Sequence, residues 1–304
     1  MAKYNEIFKE LKRIKSAKVL RDEPLSRHTT FKIGGPADIL VIPKDLDALR
    51  EVLSATQGIK KYIIGNGSNL LIPDKGLEGI VIKVSGGMND FECEGRHVTV
   101  GAGTLIQPLL RKLAGAALSG LEFAAGVPAA VGGAVVMNLG AFGHDIGRLI
   151  EYADIISAAG KDIKLSRSDL GFSYRSSRID ECIVISAKLR LSHKRKETIW
   201  RNMEQIMIKR KETQPWAVPG AGSIFKNPKD IPAGKLIDMA GLKGLRIGGA
   251  EISKKHANFI INLGDAKESD VKAIIKKVRT VVKEKFRVKL ELELVDSGNL
   301  IVLS

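Results

Sequence analysis

Four short stretches contain side chains that could move protons or hold charge. Ser223 lies in a turn punctuated by glycine and proline, Gly222-Ser223-Ile224-Phe225-Lys226-Asn227-Pro228, and Arg175 in the polar run Phe172-Ser173-Tyr174-Arg175-Ser176-Ser177. Glu291 and Glu293 alternate with Leu290, Leu292 and Leu294, and His256 follows Ser253-Lys254-Lys255. A hydroxyl can protonate a strong base, a guanidinium can steady a carboxylate, and a carboxylate can orient either. Each residue also has a plain reading. A turn serine bonds its own backbone, and no GxSxG elbow surrounds Ser223. Arg175 reads by default as a surface arginine, His256 at the start of a strand reads as structural, and period two puts Glu293 on a solvated face.

Two glycine-rich stretches could seat something large beside these groups. Gly120–Gly143, GLEFAAGVPAAVGGAVVMNLGAFG, is apolar enough to be core, yet six glycines and a proline break any single helix or strand across it. Glycine there points to backbone brought close to a bulky partner or forced to positive φ. Upstream, Gly65-Asn66-Gly67-Ser68-Asn69 closes a strand-like run. It has neither P-loop spacing nor a dinucleotide fingerprint. It can still turn several N–H groups inward as an anion nest, and a tight hairpin turn is the competing local reading. Two such loops suit one large, partly anionic cofactor.

The surrounding elements must position these groups. The chain has 304 residues, 44% of them hydrophobic, which supports a substantial core in two or three domains. No apolar run reaches the ~20 residues of a bilayer span, and a cytoplasmic location is expected. The net charge of +15 raises nucleic acid or an anionic substrate as partners. Aromatics are only 5% and no nucleic-acid signature is present, so the lysine-rich runs read as solvated helix faces. Cys93 and Cys182 lack metal or redox spacing and read as reduced. Tyr4, Ile7, Phe8, Leu11 and Ile14 predict an N-terminal helix, followed by a connector with Pro24. Further helices are predicted at Leu46–Leu53, Leu105–Leu118, Lys194–Glu212 (a charged domain connector) and Val271–Val282, and strands at Tyr62–Ile64, Gly79–Val84, His97–Val100, Tyr152–Ser157, Cys182–Leu191 and Phe259–Leu263.

Taken in order, the blocks HTTFKIGGPAD, GNGSNLL, GVPAAVGGAVVMNLGAFG, SYRSS, GSIFKNP, GGAEISKKHANFIIN and LELEL resemble the UDP-N-acetylenolpyruvoylglucosamine reductases, the MurB flavoenzymes of peptidoglycan precursor synthesis, from about Arg27 to Gly298. The resemblance implies an α+β fold: a vanillyl-alcohol-oxidase-type FAD-binding region of two subdomains plus a C-terminal α/β substrate-binding domain. The expected division is an N-terminal helix and connector at 1–26, FAD-binding subdomains at 27–193 and the substrate domain at 194–304. Only a short span separates Tyr174-Arg175 from GSIFKNP, so the chain resembles the type without an inserted, substrate-gripping tyrosine segment.

The same resemblance implies non-covalent FAD, NADPH as electron donor, a UDP-sugar substrate, a monomer and no metal. Gly65, Asn66, Gly67, Ser68, Asn69 and Leu70 would wrap the FAD diphosphate, and Gly132, Gly133, Ala134, Asn138 and Gly140 would lie against the cofactor. Arg175 would be the cation beside the substrate carboxylate, Ser223 the proton donor and Glu293 its assistant, although a register error of two would substitute Glu291. Tyr174, Lys226, Asn227 and His256 are candidates for holding the diphosphate and sugar. An alcohol or sugar oxidase on the same flavin fold would consume oxygen and need no NADPH. A nucleic-acid binder would be colourless.

Overall fold

The computed structural model describes residues 4–157, 160–179 and 181–303. Three larger sheets, of five, five and four strands, organise the chain. In the first, Pro36–Pro43, Leu77–Lys83 and Lys61–Ile64 run parallel side by side. Their near-continuous apolar sequences are what strands covered on both faces require. Ala17–Pro24 adds an antiparallel edge against Pro36–Pro43. The stretch read from sequence as a connector is therefore a strand, and Pro24 sits at its last position, where a missing N–H is tolerated. Helices α1 (Asn5–Leu11) and α2 (Leu46–Ala55) pack together on this sheet. Asp45 caps α2 by accepting from the Ala48 N–H at 2.8 Å.

The second sheet is antiparallel throughout, in the order Asp162–Ser166, Ile150–Ser157, Cys182–Arg190, His97–Gly101, Phe91–Glu94. Helix α3 (Ile106–Gly115) buries Ile106, Leu109, Leu110, Leu113 and Ala114, a stripe at helical spacing. The glycine-rich region is mostly turns around one short helix, α4 (Val131–Val136). After α5 (Arg167–Leu170), α6 (Lys196–Thr213) buries Ile199, Met203 and Arg210. It packs on α3 and on the turn Glu122–Ala124, so it is a packed element and not the solvated connector its charges suggest.

The third sheet pairs Gly220–Ser223, Phe259–Asn262, Ala250–Ile252 and Arg246–Ile247 under α7 (Ala233–Met239) and α8 (Glu268–Phe286). Helix α8 buries Val271, Ile274, Ile275, Val278 and Val282, the face its sequence predicts. This core also takes in Phe31, Ile33 and Leu71 from the N-terminal half. Asn262 fastens the junction by donating to the Phe31 carbonyl at 3.0 Å. The chain then leaves this region, since Ile301–Leu303 returns to the first sheet as an antiparallel edge beside Lys61–Ile64.

Candidate active site

A cleft of about 720 Å³ opens where the three sheets meet, within the roughly 300–1,000 Å³ typical of small-molecule sites. One wall is the loop Gly65–Leu70. Its flanking strands pair with Leu77–Lys83 and with Val295–Asp296, not with each other, so the hairpin alternative does not hold. Gly67 has φ +65, and a Cβ there would stand 2.2 Å from the His28 carbonyl oxygen. Only glycine lets the chain turn there. Asn66 donates to the Pro128 carbonyl at 2.7 Å and Asn69 to the Glu293 carbonyl at 2.9 Å, tying this loop to the other two walls.

The facing wall is Gly126–Ala134. Gly132 packs tightly, its Cβ position only 3.0 Å from the Ala102 methyl, whereas a Cβ on Gly133 would meet nothing within 4 Å. One glycine lets α4 approach the second sheet, and its neighbour leaves the cleft floor bare. Gly140 clears a path for Arg175, whose Nη1 lies 2.8 Å from where a Cβ would be.

Arg175, Ser223 and Glu293 converge on this cleft. Arg175 holds a left-handed backbone, φ 56, an uncommon state for a non-glycine residue. Its Nε donates to Glu293 Oε1 at 2.5 Å, and its guanidinium lies 5.2 Å from the Tyr174 ring centre. Asn138 supports the turn, donating to the Ser173 carbonyl at 2.8 Å and accepting from the Gly147 N–H at 3.0 Å. Ser223 and Glu293 are brought close by a short ladder. Phe225 bridges Leu292, and the Glu293 N–H donates to the Ile224 carbonyl at 2.9 Å. Burial pushes the Glu293 carboxyl above its ordinary value, opposed by Arg175 and Lys226. Glu291 is exposed and does not line the cleft, whereas Glu293 does.

Gly65 through Leu70, Gly132, Gly133, Ala134 and Gly140 all border the cleft. Asn138, Tyr174, Lys226, Asn227 and His256 do not. The Asn138 amide is committed to the two backbone bonds above. Tyr174 Oη accepts from the Asn227 N–H at 3.4 Å, and Asn227 Oδ1 accepts from the Ala233 N–H at the start of α7 at 3.1 Å. His256 Nδ1 accepts from the Asn258 N–H at 3.3 Å, and its ring meets the Phe259 edge at 4.7 Å. Burial pushes that imidazole below its ordinary pKa.

Sequence reasoning missed Arg210, which lines the cleft and is only 8% exposed. It donates to the Phe123 carbonyl at 3.2 Å and to Gln214 Oε1 at 3.3 Å, while its buried Nε has no hydrogen-bond partner among the described residues. Burial, then the charge of Arg175, pushes its pKa down. The signal was present: Arg210 extends the stripe Ile199, Met203, Ile206 at intervals of four, three and four, so it had to point inward.

The C-terminal domain model of the UDP-N-acetylenolpyruvoylglucosamine reductases matches residues 214–295, and an FAD binding domain model matches residues 37–166. The UDP-N-acetylenolpyruvoylglucosamine reductase of Bacillus subtilis (strain 168) is 45% identical over 296 residues, covering 95% of this chain and 97% of the relative. That of Lachnoclostridium phytofermentans is 45% identical over 298 residues, covering 95% and 96%. The crystal structure of the corresponding enzyme (MurB) from Thermus caldophilus superposes with a TM-score of 0.80 at 37% identity, covering 92% of this chain and 98% of that one.

Proposed function

The chain belongs to the UDP-N-acetylenolpyruvoylglucosamine reductase family, and from that premise we infer how its cleft divides the work of the family reaction. It is an FAD-dependent oxidoreductase that uses NADPH to reduce UDP-N-acetylenolpyruvoylglucosamine to UDP-N-acetylmuramate in peptidoglycan precursor synthesis. The fold is α+β, with a vanillyl-alcohol-oxidase-type FAD-binding region of two subdomains and a C-terminal α/β substrate-binding domain. We place residues 5–24 with the first FAD-binding subdomain, whose sheet they join, and begin the substrate-binding domain after α6 (Lys196–Thr213), which packs on α3.

The residues present fit FAD. Gly133 leaves the floor bare, Gly67 lets its loop turn tightly, and Arg210 is a buried cation whose described partners are uncharged. A lone buried charge is costly unless an anionic group joins it. On this reading Gly65–Leu70 hold the diphosphate with backbone N–H groups, and Gly132, Gly133, Ala134 and Gly140 allow the ring system to lie close. Asn138 acts on the cofactor side as a strut. Held there, FAD would supply hydride transfer from NADPH to the terminal carbon of the enolpyruvyl ether.

The chain's own groups handle the charge that follows. Negative charge spreads into the substrate carboxylate, where Arg175 steadies it; a fixed cation at a water-poor site contributes about 3–4 kcal/mol. Ser223 gives its hydroxyl proton to the neighbouring carbon. Glu293 fixes the guanidinium by accepting from its Nε, and its raised pKa suits it to supply the proton that Ser223 gives up. Tyr174, Lys226, Asn227 and His256, outside the cleft lining, are assigned to the diphosphate and sugar from their places in the family motifs. The observation that carries this division is the Arg175–Glu293 pair beside Ser223, facing the two glycine walls.

The test is to load the protein with FAD, bleach the flavin with NADPH under anaerobic conditions, and add UDP-N-acetylenolpyruvoylglucosamine. Rapid return of the oxidised spectrum is expected. Reoxidation by oxygen but not by this substrate would overturn the reading. Among the described residues no helix is long and apolar enough to cross a membrane. The reading also includes a cytoplasmic monomer, for which light scattering should return a mass near 33.0 kDa.

A further inference from the structure

Two aromatic rings stand half in water on the rim of the cleft, and the reading above uses neither. Phe142 is 41% and Trp216 40% exposed, and both line the cleft. The backbone presenting them is held in a conformation L residues adopt at a cost: φ is 53 at Phe142 and 60 at Ala217, directly after Trp216. Gly126 makes room beside Trp216. A Cβ there would come within 2.9 Å of Met207 Sδ, 3.0 Å of Arg210 Cδ and 3.4 Å of Trp216 Cη2.

Three consecutive cations of α6 back these rings. At about 100° per residue, neighbours on a helix fan over about 200°, so Lys209 and Lys211 flank an inward Arg210. The Arg210 guanidinium lies 5.2 Å from the Phe142 ring centre and Lys209 Nζ 5.1 Å from it, while Lys211 Nζ is 6.0 Å from the Trp216 ring. Exposed aromatic faces beside exposed ammonium groups match a ligand that is both flat and phosphorylated. The ring stacks, and the phosphate meets the lysines.

We propose that Phe142 and Trp216 form a stacking subsite for the heterocyclic base of a nucleotide, with Lys209 and Lys211 taking its phosphate charge. This rests on the cleft being the site of the family reaction, whose UDP-sugar and NADPH both carry such a base. It gives this chain, which resembles the type without the inserted tyrosine segment, an aromatic contact of its own at the mouth of the site.

The test uses FAD-loaded protein and calorimetric titration with UDP and, separately, with NADP⁺. Trp216→Leu should weaken one of the two by about tenfold or more, as loss of a base–aromatic stack does, with a smaller loss in Phe142→Leu. Trp216→Phe should recover most of the affinity, and bound flavin should be unchanged. Loss for UDP alone assigns the subsite to uridine, and loss for NADP⁺ alone to the pyridine nucleotide. Affinities within twofold of wild type for both ligands would overturn the proposal, as would flavin lost from the Leu variants, because the rings would then pack on the cofactor. A wild-type protein that takes up no FAD would fail the family reading itself, before any titration.

Discussion

Two arginines border one cleft and are kept there by opposite means. Arg175 sits on a turn with its own counter-ion, Glu293, at 2.5 Å and an aromatic ring under its guanidinium. Arg210 sits on a helix, more deeply buried, and also has a ring beside it, Phe142 at 5.2 Å, but its described hydrogen-bond partners are a carbonyl and an amide oxygen and its Nε–H has none among the described residues. A pre-paired cation is oriented before any ligand arrives, which suits charge that develops only during reaction. A buried cation without a counter-charge is unfavourable until an anion joins it, which suits holding a bound group.

The two should respond oppositely to removal. Arg175→Ala is expected to slow reoxidation of the reduced flavin by about 10²–10³-fold, the usual loss of one stabilising donor. It should also lower the melting temperature of the FAD-free protein, because a carboxylate only 14% exposed loses its cation, at about 1–3 kcal/mol. Arg210→Met keeps the bulk and removes the charge, so the FAD-free protein should melt no lower than wild type, while the rise in melting temperature on adding FAD should shrink. Equal destabilisation by both variants would erase the distinction.

A smaller effect comes from pH. Because burial raises the folded pKa of Glu293 above the ordinary 4.5, its contribution to stability is fully present below that value and is lost as pH rises through the folded pKa. Melting curves of wild type against Glu293→Gln should therefore diverge to the wild type's disadvantage as pH climbs from about 4.5. A flat difference would put Glu293 in ordinary solvent. The smallest effect is the register control: Glu291→Gln should leave the reoxidation rate unchanged and stability within about 0.5 kcal/mol, as for other exposed sites.

The same contrast marks what the sequence could convey. Regular burial was legible: the stripe of α8 from Val271 to Val282 and the parallel strand from Gly79 to Val84 follow from period and apolar run. Glycine positions in Gly120–Gly143 were legible as close approaches, and Gly132 against the Ala102 methyl is one. Arg210 was hidden because three charged neighbours mask the inward stripe of α6. The strand Ala17–Pro24 was hidden because Arg21, Asp22, Glu23 and Pro24 look like a loop on an edge that faces water. Glu293 looked solvated because LELEL alternates, yet its partner is the turn after Ser223, met through one bridge, and not a neighbouring strand. The role of Asn138 depends on backbone groups 35 and 9 residues away, a distance no local pattern encodes.

The central claim is that Ser223 protonates the substrate and does nothing for the flavin's own reduction. Stopped-flow absorbance of Ser223→Ala, FAD-loaded and anaerobic, measures the two half-reactions separately. Bleaching by NADPH should stay within about twofold of wild type, while reoxidation by UDP-N-acetylenolpyruvoylglucosamine should slow by about 10²–10⁴-fold, the span of general acid catalysis. Equal slowing of both steps, or of neither, would contradict the account.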